Sequence, residues 1–112
     1  MKTKYLTIYE DIKVYDYGYK IFHKLRDLDG ITSEMINESF DIDLNIQSCK
    51  DAGESTGKSG SFFFFSYDRR FIIKTMFQEE LELFLEHIVD YLKHLEENPD
   101  SLLARYYGVY QI

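Results

Sequence analysis

Four consecutive phenylalanines, Phe62 to Phe65, follow directly on a stretch rich in glycine and serine. Four adjacent rings have no 3.6-residue period, so they cannot share one face of a helix, whereas aromatic residues suit a pleated strand. A second short apolar run, Phe71 to Ile73, comes after Tyr67, Asp68, Arg69 and Arg70. The pair reads as a β-hairpin with a polar turn. The preceding segment, Lys50 to Ser61, has no large apolar residue and contains Gly53, Gly57 and Gly60. It interrupts well-patterned sequence, so it is a loop within a domain and not a linker between domains.

The sequence on either side of this hairpin is periodic. Ile12, Tyr15, Tyr19, Phe22, Leu25 and Leu28 recur at helical spacing, with Asp16 as N-cap and Gly30 as the stop. A short second helix is expected from Thr32 or Ser33 through Met35 and Ile36. Phe40, Ile42, Leu44 and Ile46 then alternate with Asp41, Asp43, Asn45 and Gln47, the period-2 pattern of a strand with one wet face. From Gln78 the helical period returns. Leu81, Phe84, Leu85, Ile88, Leu92 and Leu95 form one apolar stripe, with Glu79, Glu86 and Asp90 pointing away. That helix must end by Asn98, because Pro99 disfavours helical geometry in the residue before it. Leu102 to Ile112 again reads as strand, with Gly108 at a bend. The expected class is α+β: an antiparallel sheet packed against one long helix, with a further helix near the N-terminus.

Composition removes several functional classes. A chain of 112 residues fits one domain, and 45% hydrophobic residues with 17% aromatic, ten Tyr and nine Phe among them, supply a core. The formal net charge of −7 argues against nucleic acid as a partner, since phosphate binding needs a surplus of Lys and Arg. No stretch approaches the roughly 18 apolar residues of a membrane span, and no signal peptide is visible. The single cysteine, Cys49, excludes a disulfide framework and a multi-cysteine zinc site, and an intracellular location is expected. Cys49 itself is expected as an inert strand-end residue, because no His or Asp patterns with it. His87 and His94 share a helix face about two turns apart, too far for one ion without other ligands. No metal site is expected within the chain.

The glycine-rich loop admits two readings. Ala52 through Ser59 (AGESTGKS) matches a relaxed Walker A string, but that motif needs a helix to start immediately afterwards. Here a run of phenylalanines follows, so the required context fails. The second reading is a glycine-rich turn between antiparallel strands that folds its backbone N–H groups over the phosphates of a nucleotide. Gly57 and Gly60 would allow close approach, Ser59 and Ser61 would add hydroxyl donors, and Lys58 would be a solvated charge nearby.

Lys74 carries the argument further. Alternation places it on the same strand face as Ile72 and Met76, and an ammonium among apolar neighbours is costly unless paired. In the kinase arrangement such a lysine meets the α- and β-phosphates and is steadied by a glutamate from the following helix. Glu80 and Glu82 both flank the apolar stripe, while Glu79 projects almost opposite it. A lysine at a sheet edge snorkelling to water would give the same pattern.

Two strings carry a resemblance to a known family. GKSGSFFFFSYDRRFIIKTM, at Gly57 to Met76, closely resembles the glycine loop and lysine strand of phosphatidylinositol phosphate kinases, type I-like. EENPDSLLARYYGVY, at Glu96 to Tyr110, looks like the segment after the main helix of that family's N-lobe, and VYDYGYKIFHKLRDLDGI, at Val14 to Ile31, is similar to its N-terminal helical region. The resemblance implies the N-lobe of a protein-kinase-related fold and transfer of phosphoryl from Mg-ATP to an inositol-ring hydroxyl of a monophosphorylated phosphoinositide. It implies that Gly57, Ser59, Gly60 and Ser61 line the phosphates, that Lys74 is the ATP lysine, and that Glu80 is its partner.

The departures are as informative. Residues 1–112 would be a single partial domain, ending near where the connection to a second lobe would begin, with no catalytic aspartate motif or metal-binding aspartate motif. No catalytic residue is therefore expected in this chain, and Mg²⁺ ligands and the lipid contact at the membrane surface are expected in the absent lobe. The parent enzyme would be cytoplasmic and peripheral at membranes, and the Tyr-rich N-terminal segment is a candidate homodimer surface. The alternative is a catalytically dead nucleotide-binding or interaction module that pairs with a full-length kinase.

Overall fold

The computed structural model describes residues 3–9, 12–52 and 62–112, with side chains for residues 13–50 and 62–112. The chain divides into two compact units, one running to Ile31 and resuming over Glu82–Ile112, the other spanning Thr32–Leu81.

The first unit is a three-stranded antiparallel sheet with two helices. Strands β1 (Thr3–Tyr9) and β2 (Ile12–Tyr17) form a hairpin, and the last strand of the chain, Val109–Gln111, joins the other edge of β2. Thr3 faces Tyr17 in one ladder, and Tyr17 faces Val109 in the other. This corrects the expectation of a helix from Ile12 capped by Asp16. Ile12–Tyr17 lies in the middle of the sheet, and Asp16 is a ladder residue opposite Lys4 and Tyr110. The run mixes β-branched and aromatic residues, and two neighbouring strands satisfy its backbone, which outweighs the partial helical spacing. The helix α1 starts only at Tyr19 and ends at Leu28. Its N-cap is Gly18, at φ 57° and ψ 34°, a left-handed conformation that a residue without Cβ enters easily as the chain leaves the strand.

The expected long helix is present as α4 (Gln78–Glu97), most of which belongs to this first unit. Its stripe meets α1. Phe22 and Leu25 of α1 and Ile88, Leu92 and Leu95 of α4 form the buried core, with Phe84, Leu85, Tyr91, Tyr106 and Val109 packed around it. Phe84 is the centre of the aromatic packing, stacked parallel to Phe22 at 6.2 Å and tilted against Tyr106 at 4.7 Å. The hydrophobic stripe thus becomes core.

Between α4 and the last strand the backbone has no regular structure from Asn98 to Gly108, so the strand expected from Leu102 shrinks to β5 (Val109–Gln111). Side chains hold this passage instead. Arg26 donates to the Tyr107 carbonyl at 2.6 Å, His94 and Ser101 are 2.9 Å apart, and the Tyr91 hydroxyl donates to the Ala104 carbonyl while accepting from Tyr106 N–H at 3.1 Å. A Cβ at Gly108 would lie 2.5 Å from the Tyr110 hydroxyl, so a larger residue there would require the exposed Tyr110 ring to move aside.

The second unit contains α2 (Ser33–Ser39), α3 (Ile42–Ala52), and the strands β3 (Phe63–Phe65) and β4 (Ile72–Lys74). Thr32 caps α2 by accepting from Met35 N–H at 3.2 Å. The strand expected over residues 40–47 is a helix. The carboxylate of Asp41 accepts from Leu44 N–H at 3.0 Å, which starts α3 and satisfies one of its free donors. The alternation is also inverted in burial: Ile42 is 74% exposed, whereas Asn45 is only 7% exposed. Cys49 consequently sits exposed on a helix and not at a strand end. The hairpin stands where the phenylalanine run placed it.

Candidate functional site

The site grows from the register of the β3–β4 hairpin. Phe63 pairs with Lys74, Phe64 with Ile73 and Phe65 with Ile72. Because successive side chains alternate, Phe63, Phe65, Ile72 and Lys74 share one face. The ladder extends by one step beyond the strands, where Thr75 N–H donates to the Phe62 carbonyl at 3.1 Å and the Thr75 hydroxyl accepts from Phe62 N–H at 3.0 Å. Three residues, Thr75 to Phe77, then lead into the first turn of α4.

That short connection brings two charges together. Lys74 Nζ lies 3.6 Å from Glu80 Oε2. Of the glutamates the sequence offers, Glu80 is therefore the one that reaches the lysine. The two side chains are 39% and 43% exposed, and Ile72 is more than half exposed. The ammonium is thus on an open face and not enclosed among apolar neighbours, so solvent meets most of its solvation need. A pair this exposed stabilises the fold by about 0–1 kcal/mol at most. Gly57, Ser59, Gly60 and Ser61, with Lys58, lie outside the described residues.

The opposite end of the hairpin holds a polar cluster that periodicity gave no reason to seek. Asp68, in the turn, accepts from the Ser39 hydroxyl through Oδ2 and from the Ser66 hydroxyl through Oδ1, both at 2.7 Å. Arg70 N–H donates to Oδ1 at 3.2 Å, and the Arg70 guanidinium lies 3.6 Å from both Asp68 and Glu38. Ser39 and Ser66 are buried, as is Asn45. The Asn45 amide donates to the carbonyls of Ser39 and Asp41 at 3.0 and 2.6 Å and accepts from Tyr67 N–H at 2.9 Å. Desolvation pushes the Asp68 carboxyl up, but the bonds from Ser66, Ser39 and Arg70, together with the Arg70 charge, hold it below the ordinary carboxylate value. The sequence placed Asp68 in a polar turn, with nothing to indicate Ser39 as its partner.

A groove of about 790 Å³ separates the hairpin from α3, bordered by Ile42, Asn45, Ile46 and Cys49 on one side and Phe62 to Phe65 on the other. No helix among the described residues is long and apolar enough to cross a membrane. Both histidines that share a face of α4 have protein partners, His87 with the Leu83 carbonyl and His94 with Ser101.

Residues 45–112, which include the hairpin, Lys74, Glu80 and β5, match the sequence model of the family described as phosphatidylinositol-4-phosphate 5-kinase. The chain belongs to this family. Full-length relatives extend the likeness toward the N-terminus. A probable phosphatidylinositol phosphate kinase of Dictyostelium discoideum is 39% identical over 101 residues, 89% of this chain and 14% of the relative. The phosphatidylinositol 4-phosphate 5-kinase its3 of Schizosaccharomyces pombe is 35% identical over 102 residues, covering 91% of this chain and 13% of its own length. The human phosphatidylinositol 4-phosphate 5-kinase type-1 alpha is 34% identical over 102 residues, 91% of this chain and 17% of the relative. The chain therefore spans a small part of the length of the kinases it matches. The α+β content, with small antiparallel sheets and a long helix, fits an N-lobe kinase-like fold.

Proposed function

We propose that this chain is the ATP-gripping lobe of a lipid kinase that transfers the γ-phosphoryl group of ATP to an inositol-ring hydroxyl of a phosphatidylinositol monophosphate. The observation that carries this reading is the pairing of Lys74 with Glu80 at 3.6 Å, at the end of a hairpin that a glycine- and serine-rich sequence precedes. Lys74 contacts the α- and β-phosphates, and Glu80 holds the ammonium in place between turnovers. In this reading Gly57, Ser59, Gly60 and Ser61 supply the phosphate contacts. The apolar side chains that share the lysine's face, Ile72 and Phe65, offer a surface for the base.

Among the described residues no three His, Cys, Asp or Glu side chains converge as a ligand set, and this reading assigns the Mg²⁺ that accompanies ATP to ligands elsewhere in the kinase. The described residues supply orientation and charge: the transition state spreads negative charge over the phosphate oxygens, and a positioned ammonium lowers its energy. The net charge of −7 does not favour the anionic surface of a membrane, so the lipid is engaged by other parts of a cytoplasmic, peripheral protein.

The test uses the protein that carries this chain, vesicles containing phosphatidylinositol 4-phosphate, and ATP labelled at the γ-phosphate. Label transferred to lipid by the wild type and lost in Lys74→Met, with the melting temperature retained, is the expected result. Undiminished transfer in Lys74→Met overturns the assigned lysine. A wild type that binds ATP and transfers no label favours instead a nucleotide-binding module without catalysis.

A further inference from the structure

The hairpin that bears Lys74 is poorly located by its own packing. Phe62, Phe65, Ile72 and Ile73 are all between 44% and 57% exposed, and a groove separates the strands from α3. A two-stranded hairpin on its own has marginal stability and little orientational restraint. One end of this hairpin runs into α4 through three residues, and the other is tied down by its turn. Ser66 N–H donates to the Phe71 carbonyl at 2.9 Å, Phe71 N–H donates to the Ser66 hydroxyl at 3.1 Å, and Arg69 stands at a left-handed φ of 60° to let the chain reverse. Asp68 then joins this closed turn to the end of α2 through Ser39, while Asn45 joins it to the start of α3 through Tyr67. Phe71 adds a ring contact with Phe40 at 5.7 Å, on the same corner.

We propose that Asp68 is a positioning residue for Lys74, fixing where β4 begins and therefore where the ammonium, at the other end of that strand, is presented. This rests on the reading of Lys74 as the nucleotide lysine. Asp68 touches no substrate in this assignment. It is the acceptor for two buried hydroxyls at once, and no neutral side chain of its size offers two such acceptor oxygens. Removing it takes away the acceptor for the hydroxyl protons of Ser39 and Ser66 and frees the turn to tilt. A strand of three residues transmits a tilt at its root directly to its end, and displacement of a catalytic group by about 1 Å can reduce turnover by two orders of magnitude.

The experiment compares Asp68→Ala, Lys74→Ala and the double variant in the protein that carries this chain. It measures ATP affinity by direct titration and KM for ATP and for phosphatidylinositol 4-phosphate vesicles separately. Asp68→Ala is expected to weaken ATP binding about tenfold while KM for lipid stays within about twofold. In the Lys74→Ala background, adding Asp68→Ala is expected to change ATP affinity by less than about twofold, because the group it positions is already gone. Additive losses, or equal changes in both KM values, would mark a general structural role and overturn the inference. Lys74→Ala with full ATP affinity overturns the lysine reading and this inference together, whereas a normal loss in Lys74→Ala with no loss in Asp68→Ala overturns this inference alone. Should Asp68→Ala fail to fold, Ser39→Ala removes one donor and is expected to act in the same direction by about threefold. An unchanged ATP affinity in that variant counts against the proposal.

Discussion

Lys74 and Glu80 meet at 3.6 Å because the last residue of β4 and the first turn of α4 are separated by only three connecting residues. The strand delivers the ammonium and the helix delivers the carboxylate. Neither is buried, so the pair contributes little to the stability of the fold.

That division of labour predicts how the two glutamates at the start of α4 differ. Glu80→Gln removes the charge that faces Lys74 and is expected to lower kcat/KM for ATP by roughly tenfold or more, with the melting temperature nearly unchanged. Glu82→Gln is expected to stay within about twofold of wild type. Steady-state kinetics of both variants in the whole protein checks this, and the reverse order would assign the partner wrongly.

The 112 residues alone are expected to bind ATP weakly and to make no phosphoinositide product, since they span only 13% to 17% of the length of three of the kinases they match. Calorimetry with ATP and a radiolabel assay on the purified chain measure both. Sub-micromolar binding or detectable product contradicts the expectation.

The core offers a prediction independent of chemistry. Leu95 is fully buried between α4 and α1, against Phe22 and Leu25. Leu95→Ala should destabilise the chain by about 2–5 kcal/mol through lost burial and the cavity left behind. Urea unfolding followed by circular dichroism reads this as a lower midpoint with an unchanged slope. Leu83→Ala on the exposed side of the same helix should shift it by no more than about 0.5 kcal/mol.

Tyr107 gives the fold a dependence on alkaline pH. Burial, the hydrogen bond it donates to Asp29 at 2.9 Å and the charge of that carboxylate push its hydroxyl up to about 12 from an ordinary value of 10.0. The folded state therefore keeps a proton that the unfolded chain gives up. Its contribution to stability is complete below pH 10 and falls as the pH rises from about 10 to about 12. Tyr107→Phe should flatten the decline across that window. Melting temperatures from pH 9 to 12 test it, and an identical slope in both proteins would refute the assignment.

Much of this was legible in the residues, and the parts that were not share a cause. Four adjacent phenylalanines, a polar turn and a second apolar run specify the hairpin locally, and the six-position stripe from Leu81 to Leu95 specifies α4, because each pattern is long or sharp enough to decide alone. The spacing from Lys74 to Glu80 was likewise in the sequence: periodicity left Glu82 equally eligible, the family resemblance pointed to Glu80, and the fold brings Glu80 to 3.6 Å from the lysine. Residues 12–17 and 40–47 went the other way. Each run is short and fits two periods, and its state was decided by partners elsewhere: β1 and β5 drew the first into a sheet, while the Asp41 cap and the buried Asn45 amide drew the second into a helix. Asp68 belongs to the same class, since its acceptor role exists only because the fold returns the turn to Ser39, 29 residues earlier in the chain. Local order follows from neighbours along the sequence, but a hydrogen bond between distant residues has no periodic trace, and only the folded chain brings its two ends together.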